Sequence, residues 1–244
     1  MKRKTNISMF LAMCILLLLN ACEIDNYGGP NAIFFGSIKD AATGELVGTD
    51  LQNGSAIRAY ELGWSTRTAQ TWLIKNTGEY RNEFVFAADY DLEFINGNFF
   101  PFEILKFNIK KGDNQHDFEV TPYIRIRDVS IIHNTAEKKI VATFKIQAGK
   151  PEVKLSAIRL YVFSDMHVGE QVKYATAGSD YSKSFSPAKV IDDSETYTLS
   201  IDLEANSNLI KYNMNYYFRV GALANVSGVG TVRHNYSPLV VLPL

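Results

Sequence analysis

Residues 139–147 read Lys-Ile-Val-Ala-Thr-Phe-Lys-Ile-Gln. Apolar side chains recur at Ile140, Ala142, Phe144 and Ile146, with Val141, Thr143 and Lys145 between them. Successive side chains of an extended chain point to opposite faces, so this period of two describes a strand with one buried face. The same alternation returns at Ile158, Leu160 and Val162. Working outward, the stretches 32–38, 56–62, 71–74, 81–86, 90–95, 105–109 and 116–120 are short and rich in Ile, Val, Phe, Tyr and Thr. Asn53-Gly54, Thr77-Gly78, Asn96-Gly97 and Lys111-Gly112-Asp113-Asn114 punctuate them. Beyond Pro122 a second series runs through 124–132, 139–147, 156–163, 171–174, 196–203, 215–223 and 239–242. The weak helical pattern at 203–209 is the one exception to strand-like reading. Short strands at this spacing predict antiparallel sandwiches. One sandwich takes ~100 residues, which residues 31–121 and 122–244 each approximate. The expected fold is therefore all-β, with two tandem antiparallel β-sandwich domains.

The composition of the 244 residues excludes several classes. With 46% apolar, 12% aromatic and 21% charged residues, the chain is neither disordered nor fibrous. A net charge of −1 lacks the basic footprint of a nucleic-acid binder. Two cysteines supply neither a disulfide framework nor a thiolate zinc cluster.

The first residues read as targeting rather than fold. Lys2, Arg3 and Lys4 precede an apolar run, Met9–Leu19. That run is shorter than the ~20 residues a membrane span needs and suits the core of a secretory signal. Leu19-Asn20-Ala21-Cys22 resembles the lipobox of bacterial lipoproteins. The resemblance implies cleavage after residue 21, lipidation of Cys22 and a membrane anchor. Removing residues 1–21 takes three of the 25 basic residues and none of the 26 acidic ones, leaving a net charge of −4. Residues 22–30 form a short, turn-rich tether. Its Glu23 and Asp25 resemble the signal that sends Bacteroidetes lipoproteins to the outer face of the outer membrane; a solvated linker is the other reading.

Two further resemblances concern the domains. Phe35-Gly36-Ser37-Ile38-Lys39-Asp40 followed by Thr43-Gly44-Glu45, with Thr77-Gly78-Glu79-Tyr80 and Asp89-Tyr90-Asp91-Leu92 later, resembles carboxypeptidase-regulatory-like domains, a prealbumin-type sandwich. Ala88 departs from that family's usual glycine. Tyr216-Tyr217-Phe218-Arg219-Val220-Gly221-Ala222, with Leu209 before it, resembles the closing strands of a fibronectin type III domain. The resemblance implies that the Tyr216 hydroxyl bonds back to the backbone. The combination with the lipobox resembles Bacteroidetes surface lipoproteins associated with glycan-utilisation systems. It implies an accessory glycan-binding role beside an outer-membrane transporter and its binding-protein partner.

No residue pattern carries enzyme chemistry. The four histidines, at positions 116, 133, 167 and 234, are dispersed, and neither a metal-ligand spacing nor a nucleophile elbow occurs. No cofactor is implied. Asp89 and Asp91 can share one face of a strand, which could make a carboxylate pair but reads more simply as the solvated face of a half-buried strand. The candidates for contact with a ligand are aromatic. Sugar rings stack their apolar faces on exposed aromatic rings, while Arg, Asn and Gln bond the hydroxyls. Trp64 and Trp72 flank a polar stretch that holds Arg67 and Gln70, and Phe99 and Phe100 lie in a loop-like segment. Tyr174, Tyr181 and Tyr236 are secondary candidates. Core packing is the competing reading for each of these rings. At the level of the whole protein, glycan binding competes with a structural role in a transporter assembly and, more distantly, with hydrolysis at an unfamiliar site.

Overall fold

The computed structural model describes residues 28–244, so the signal segment and Cys22 lie outside the described residues. Asn31–Leu244 form one contiguous packed unit. Sixteen strands build it: β1 Ala32–Asp40, β2 Ala56–Glu61, β3 Ala69–Leu73, β4 Glu79–Val85, β5 Ala88–Phe94, β6 Phe102–Ile109, β7 Gly112–Gln115, β8 Phe118–Val120, β9 Ile124–Asn134, β10 Lys139–Ala148, β11 Lys154–Phe163, β12 Ser182–Val190, β13 Thr196–Asp202, β14 Asn215–Asn225, β15 Asn235–Tyr236 and β16 Val240–Pro243. No α-helix occurs among the described residues, and Leu203–Leu209 forms consecutive turns instead. Its amides reach back irregularly, Ser207 to Glu204 and Ile210 to Asn206.

The first eight strands form two sheets, β3-β2-β5-β6 and β4-β1-β7 with β8 also on β1. The pairings of β1 with β7 and β8 are parallel, within otherwise antiparallel sheets. Gly36 permits this close approach. A Cβ there would stand 1.6 Å from the His116 carbonyl oxygen, which accepts from the Tyr80 hydroxyl at 2.6 Å. Between the sheets lies an aromatic core. The Phe34 ring is 5.2 Å from Tyr80, 5.4 Å from Phe107 and 5.6 Å from Trp72, and Trp72 lies 5.4 Å from Tyr90. Each such ring removed from water contributes about 1.5–3 kcal/mol.

The last eight strands form the sheets β13-β10-β9 and β12-β11-β14-β15, with β16 also on β14. Ile140, Ala142, Phe144 and Ile146 of β10 are all buried against Ile158, Leu160 and Val162 of β11 and Tyr216, Phe218, Val220 and Ala222 of β14. The Tyr216 hydroxyl accepts from the Lys211 amide at 2.6 Å. Strand β12 went unread in the sequence because Lys183, Ser184, Ser186 and Pro187 break the apolar period. It is an edge strand whose register shifts across residues 184–189, where a proline costs no ladder bond.

The two apolar cores are separate, one built from residues 32–120 and one from 123–224. What joins them is polar. Asn98, wholly buried, donates from Nδ2 to the carbonyls of Gly48 at 2.7 Å and His234 at 3.1 Å. Its Oδ1 accepts from the Ser55 hydroxyl at 2.9 Å. Its carbonyl accepts from the Tyr123 amide at 3.0 Å and the Asn235 side chain at 2.7 Å. Asn96 Oδ1 takes the Thr231 amide at 2.9 Å, and the Gly97 carbonyl takes that of Arg233 at 3.0 Å. Phe99 belongs to the first core and Phe100 packs on the second, so one loop enters both.

Removing the Asn98 side chain strands buried partners in both domains, at about 1–3 kcal/mol for each unsatisfied group. Asn98→Ala in residues 31–244 is expected to lower the unfolding free energy by about 2–4 kcal/mol in chemical denaturation. A loss below about 0.5 kcal/mol would show that this loop does not hold the domains together.

Candidate functional site

Strands β2 and β5 pair antiparallel, with Arg58 opposite Glu93 and Tyr60 opposite Asp91. Opposite residues share a face, and here it is the outer one. Tyr90, Leu92 and Phe94 of β5 point into the core, while Asp89, Asp91 and Glu93 alternate outward. Tyr60 lies on this face but is only 7% exposed, its ring covered by Arg67. Its hydroxyl donates to Glu93 Oε2 at 3.0 Å, and Arg58 Nη1 lies 3.3 Å from the same oxygen. The Arg67 guanidinium lies 3.8 Å above the Tyr60 ring centre and 3.6 Å from Asp91 Oδ2.

Arg67 reaches that position from the β2–β3 connection, which turns at Gly63 with φ of +99°, a backbone region that side chains rarely adopt. Trp64 follows directly and is 69% exposed, one of the most exposed large apolar side chains in the protein. The hairpin thus presents a bare indole three residues from an arginine already stacked on a tyrosine. Together these groups offer an apolar ring face, guanidinium donors and carboxylate acceptors, which is the chemistry a sugar ring requires.

The structure separates the other candidates from this face. Trp72 is 4% exposed and packs between Phe34 and Tyr90, with only its Nε1 reaching Gln70 at 3.3 Å. It occupies an inward position of β3, so its ring offers no free face to a ligand. Phe99, 3% exposed, is likewise a core side chain. Phe100 stacks edge-on to Tyr123 at 4.9 Å beneath the Lys150 ammonium at 3.9 Å. These three are corrections. The loop at 96–102 looked available from its Asn and Gly content, yet those residues serve the domain junction. Tyr174 and Tyr181 pack against the second core. Asp89 accepts from Asn108 at 2.8 Å and Asp91 from the Lys106 amide at 3.1 Å, so both are engaged by β6. Among the described residues no cluster of three or more His, Cys, Asp or Glu side chains could hold a metal ion.

Sequence reasoning missed Arg58, Tyr60, Asp91 and Glu93 as a group. The available signal was their outward register on two adjacent strands, which becomes readable only once β2 and β5 are known to pair. It also missed a groove of about 940 Å³ between the domains. Its walls come from the segment after β1, the β11–β12 connection, β9, β14 and the β15–β16 region, including Leu46, Met166, Arg127, Arg219 and Leu239. Asp40 and Arg125 close one side through a two-pronged ion pair, with Arg125 Nη2 2.7 Å from Asp40 Oδ1. Burial pushes the Asp40 pKa up, but the Arg125 hydrogen bond, the Ala42 amide and the Arg125 charge outweigh it and leave the carboxyl below its ordinary value.

Two family models match the sequence. "Protein of unknown function (DUF3823) N-terminal domain" covers residues 32–121, and "Domain of unknown function (DUF3823_C)" covers residues 124–241. Among curated proteins, none matches. A Bacteroides uniformis crystal structure described as "a putative carbohydrate binding protein" is 55% identical, covers 88% of this chain and all of its own, and superposes with a TM-score of 0.85. A DUF3823 protein from Parabacteroides merdae, 20% identical, shares the fold over 88% of this chain and all of its own, with a TM-score of 0.68. Another from Bacteroides uniformis, 19% identical over the same coverage, reaches 0.72.

The Asp40–Arg125 pair gives the groove wall an acid dependence of fixed sign. A depressed carboxylate pKa adds stability above the ordinary value of 3.8, and that stability disappears as pH falls through the lower folded value. Asp40→Asn is therefore expected to lower the melting temperature at pH 7, with the gap from the unmodified protein narrowing below about pH 3.8. Melting curves from pH 7 to pH 3 check this, and a gap that widens in acid would contradict it.

Proposed function

The chain belongs to the DUF3823 family, and from that premise we propose that it is a non-catalytic, lipid-anchored surface protein that binds glycan through the Tyr60–Trp64–Arg67 face. One observation carries the reading: an indole 69% exposed on the hairpin that, three residues on, stacks an arginine on tyrosine. A relative 55% identical carries the description "putative carbohydrate binding protein", which lends the reading support. The indole belongs to neither apolar core, so its ring face is left for a partner outside the fold.

The domain architecture supports the same reading. Two four-stranded sheets in the first half suit a carboxypeptidase-regulatory-like module, and three strands facing a larger sheet in the second suit an immunoglobulin-like one. Modules of both kinds commonly present loops and sheet faces rather than reaction centres. The lipobox assigns Cys22 as the anchor and Glu23 and Asp25 as an address to the cell surface. The setting proposed for the protein is thus an outer-membrane glycan-uptake system with a transporter and its binding protein.

A second reading, a structural partner in such an assembly, is favoured by the edge strand β4. There Phe84 is 79% exposed, with Phe86 also exposed just beyond the strand. In that case the protein would co-purify with a transporter and bind no polysaccharide.

A glycan array followed by calorimetry on residues 31–244 tests the first reading. Trp64→Ala is expected to weaken binding at least about tenfold while the melting temperature stays unchanged, since the ring is largely exposed and belongs to neither core. Unchanged affinity would remove Trp64 from the site. The anchor is tested separately. Cells expressing the full chain should incorporate labelled palmitate into the protein, and Cys22→Ser should abolish the label. Labelling that persists in the variant would overturn the assignment.

A further inference from the structure

Arg219 lies on β14 on the side opposite the core-facing Tyr216, Phe218, Val220 and Ala222, and it lines the interdomain groove. It is only 4% exposed, yet its guanidinium makes a single hydrogen bond among the described residues, from Nη1 to the Val168 carbonyl at 3.3 Å. Nε is buried without a partner. Nη2 rests beside Gly48, another groove residue, where a Cβ would stand 3.2 Å away. The cation lies 3.8 Å from the Tyr236 ring centre.

The nearby carboxylates are engaged elsewhere. Asp50 accepts the Glu170 amide at 2.9 Å and the Tyr236 hydroxyl at 2.7 Å. Glu170 takes the Tyr161 hydroxyl at 2.6 Å and the Lys173 ammonium at 2.8 Å. Neither forms an ion pair with Arg219. Burial lowers the Arg219 pKa to about 10, which still leaves it charged at neutral pH. A second groove arginine, Arg127, also keeps Nε unpartnered and reaches only the Asp193 carbonyl, at 3.5 Å.

The Asp50 charge lies near enough to favour protonated Arg219 but makes no direct ion pair with it; a buried guanidinium left short of acceptors is costly, and the usual solution is a carboxylate that meets its fork through two parallel bonds. The groove that Arg219 lines can admit one. Its volume, about 940 Å³, lies near the upper end of small-ligand sites. Its rim carries the exposed apolar side chains Leu46, Met166 and Leu239, suited to the C–H face of a sugar ring.

We propose that this groove binds a hexuronate residue of an acidic glycan, its carboxylate on Arg219 and its ring against Leu46, Met166 and Leu239. The sugar in this assignment rests on the carbohydrate-binding reading above, whereas the carboxylate rests on Arg219 itself. The site is distinct from the Trp64 face, whose residues do not line the groove.

The test is calorimetry on residues 31–244 with trisaccharides of galacturonate, glucuronate and mannuronate, each beside its neutral methyl ester. At least one acid should bind, with its ester at least about 30-fold weaker. Arg219→Lys, which keeps the charge and loses the fork, should weaken the acid at least about tenfold. Arg127→Gln, on a less buried side chain, guards against a folding defect and should weaken it about threefold at unchanged melting temperature. Trp64→Ala should leave the trisaccharide unaffected. Equal binding of acid and ester, or binding insensitive to both arginines, would overturn the proposal. So would binding of trialanine, a peptide carboxylate, in place of the sugars. Neutral glycans that bind through Trp64 while no uronate binds would overturn the groove site and leave the Trp64 face standing.

Discussion

The side chain of Asn98 is the constraint on which the arrangement of the two sandwiches depends. Neither apolar core extends into the other, so the junction cannot rely on a continuous hydrophobic contact. Asn98 instead binds the backbone of Gly48 in one domain and of His234 in the other, while its own carbonyl holds Tyr123 and Asn235. Buried and satisfied at nearly every polar atom, it fixes a register that a looser apolar contact would leave adjustable. The groove walls come from both domains, so they are held by the same register.

The aromatic content of the chain divides by location. Most rings of the first half, Trp72 and Phe99 included, fill the space between two four-stranded sheets. Trp64, like Phe84 and Phe86, lies outside the core, following the turn at Gly63 and three residues before the arginine stacked on Tyr60. Loops displayed on a rigid pair of sheets carry binding residues more readily than strands do.

The β content was legible because one buried face imposes a period of two. The alternation at Ile140–Ile146 recurs unchanged as the buried side of β10. Strand β12 was not legible, since an edge strand needs no apolar face and tolerates Pro187. The pattern at 203–209 mimicked a helix because Leu203, Leu209 and Ile210 face the core from successive turns. Of the proposed site, Trp64 and Arg67 could be read from local composition, whereas Tyr60 and Glu93 required the pairing of β2 with β5. Trp64 and Trp72 flank the same polar stretch in sequence. Only the start of β3 at Ala69 tells which of them turns inward. Arg219 sat unnoticed within an apolar strand, its meaning set by a neighbouring domain.

Because the chain holds two tryptophans, one buried and one exposed, the proposed glycan-binding face can be observed directly. In a Trp72→Phe protein, fluorescence reports Trp64 alone. Titrated with a panel of plant and host polysaccharides, its emission, red-shifted as for a ring in water, is expected to shift to the blue and lose sensitivity to iodide quenching with at least one of them. An emission maximum and a quenching constant unmoved by every glycan, in a protein that retains its folded melting transition, would contradict the account.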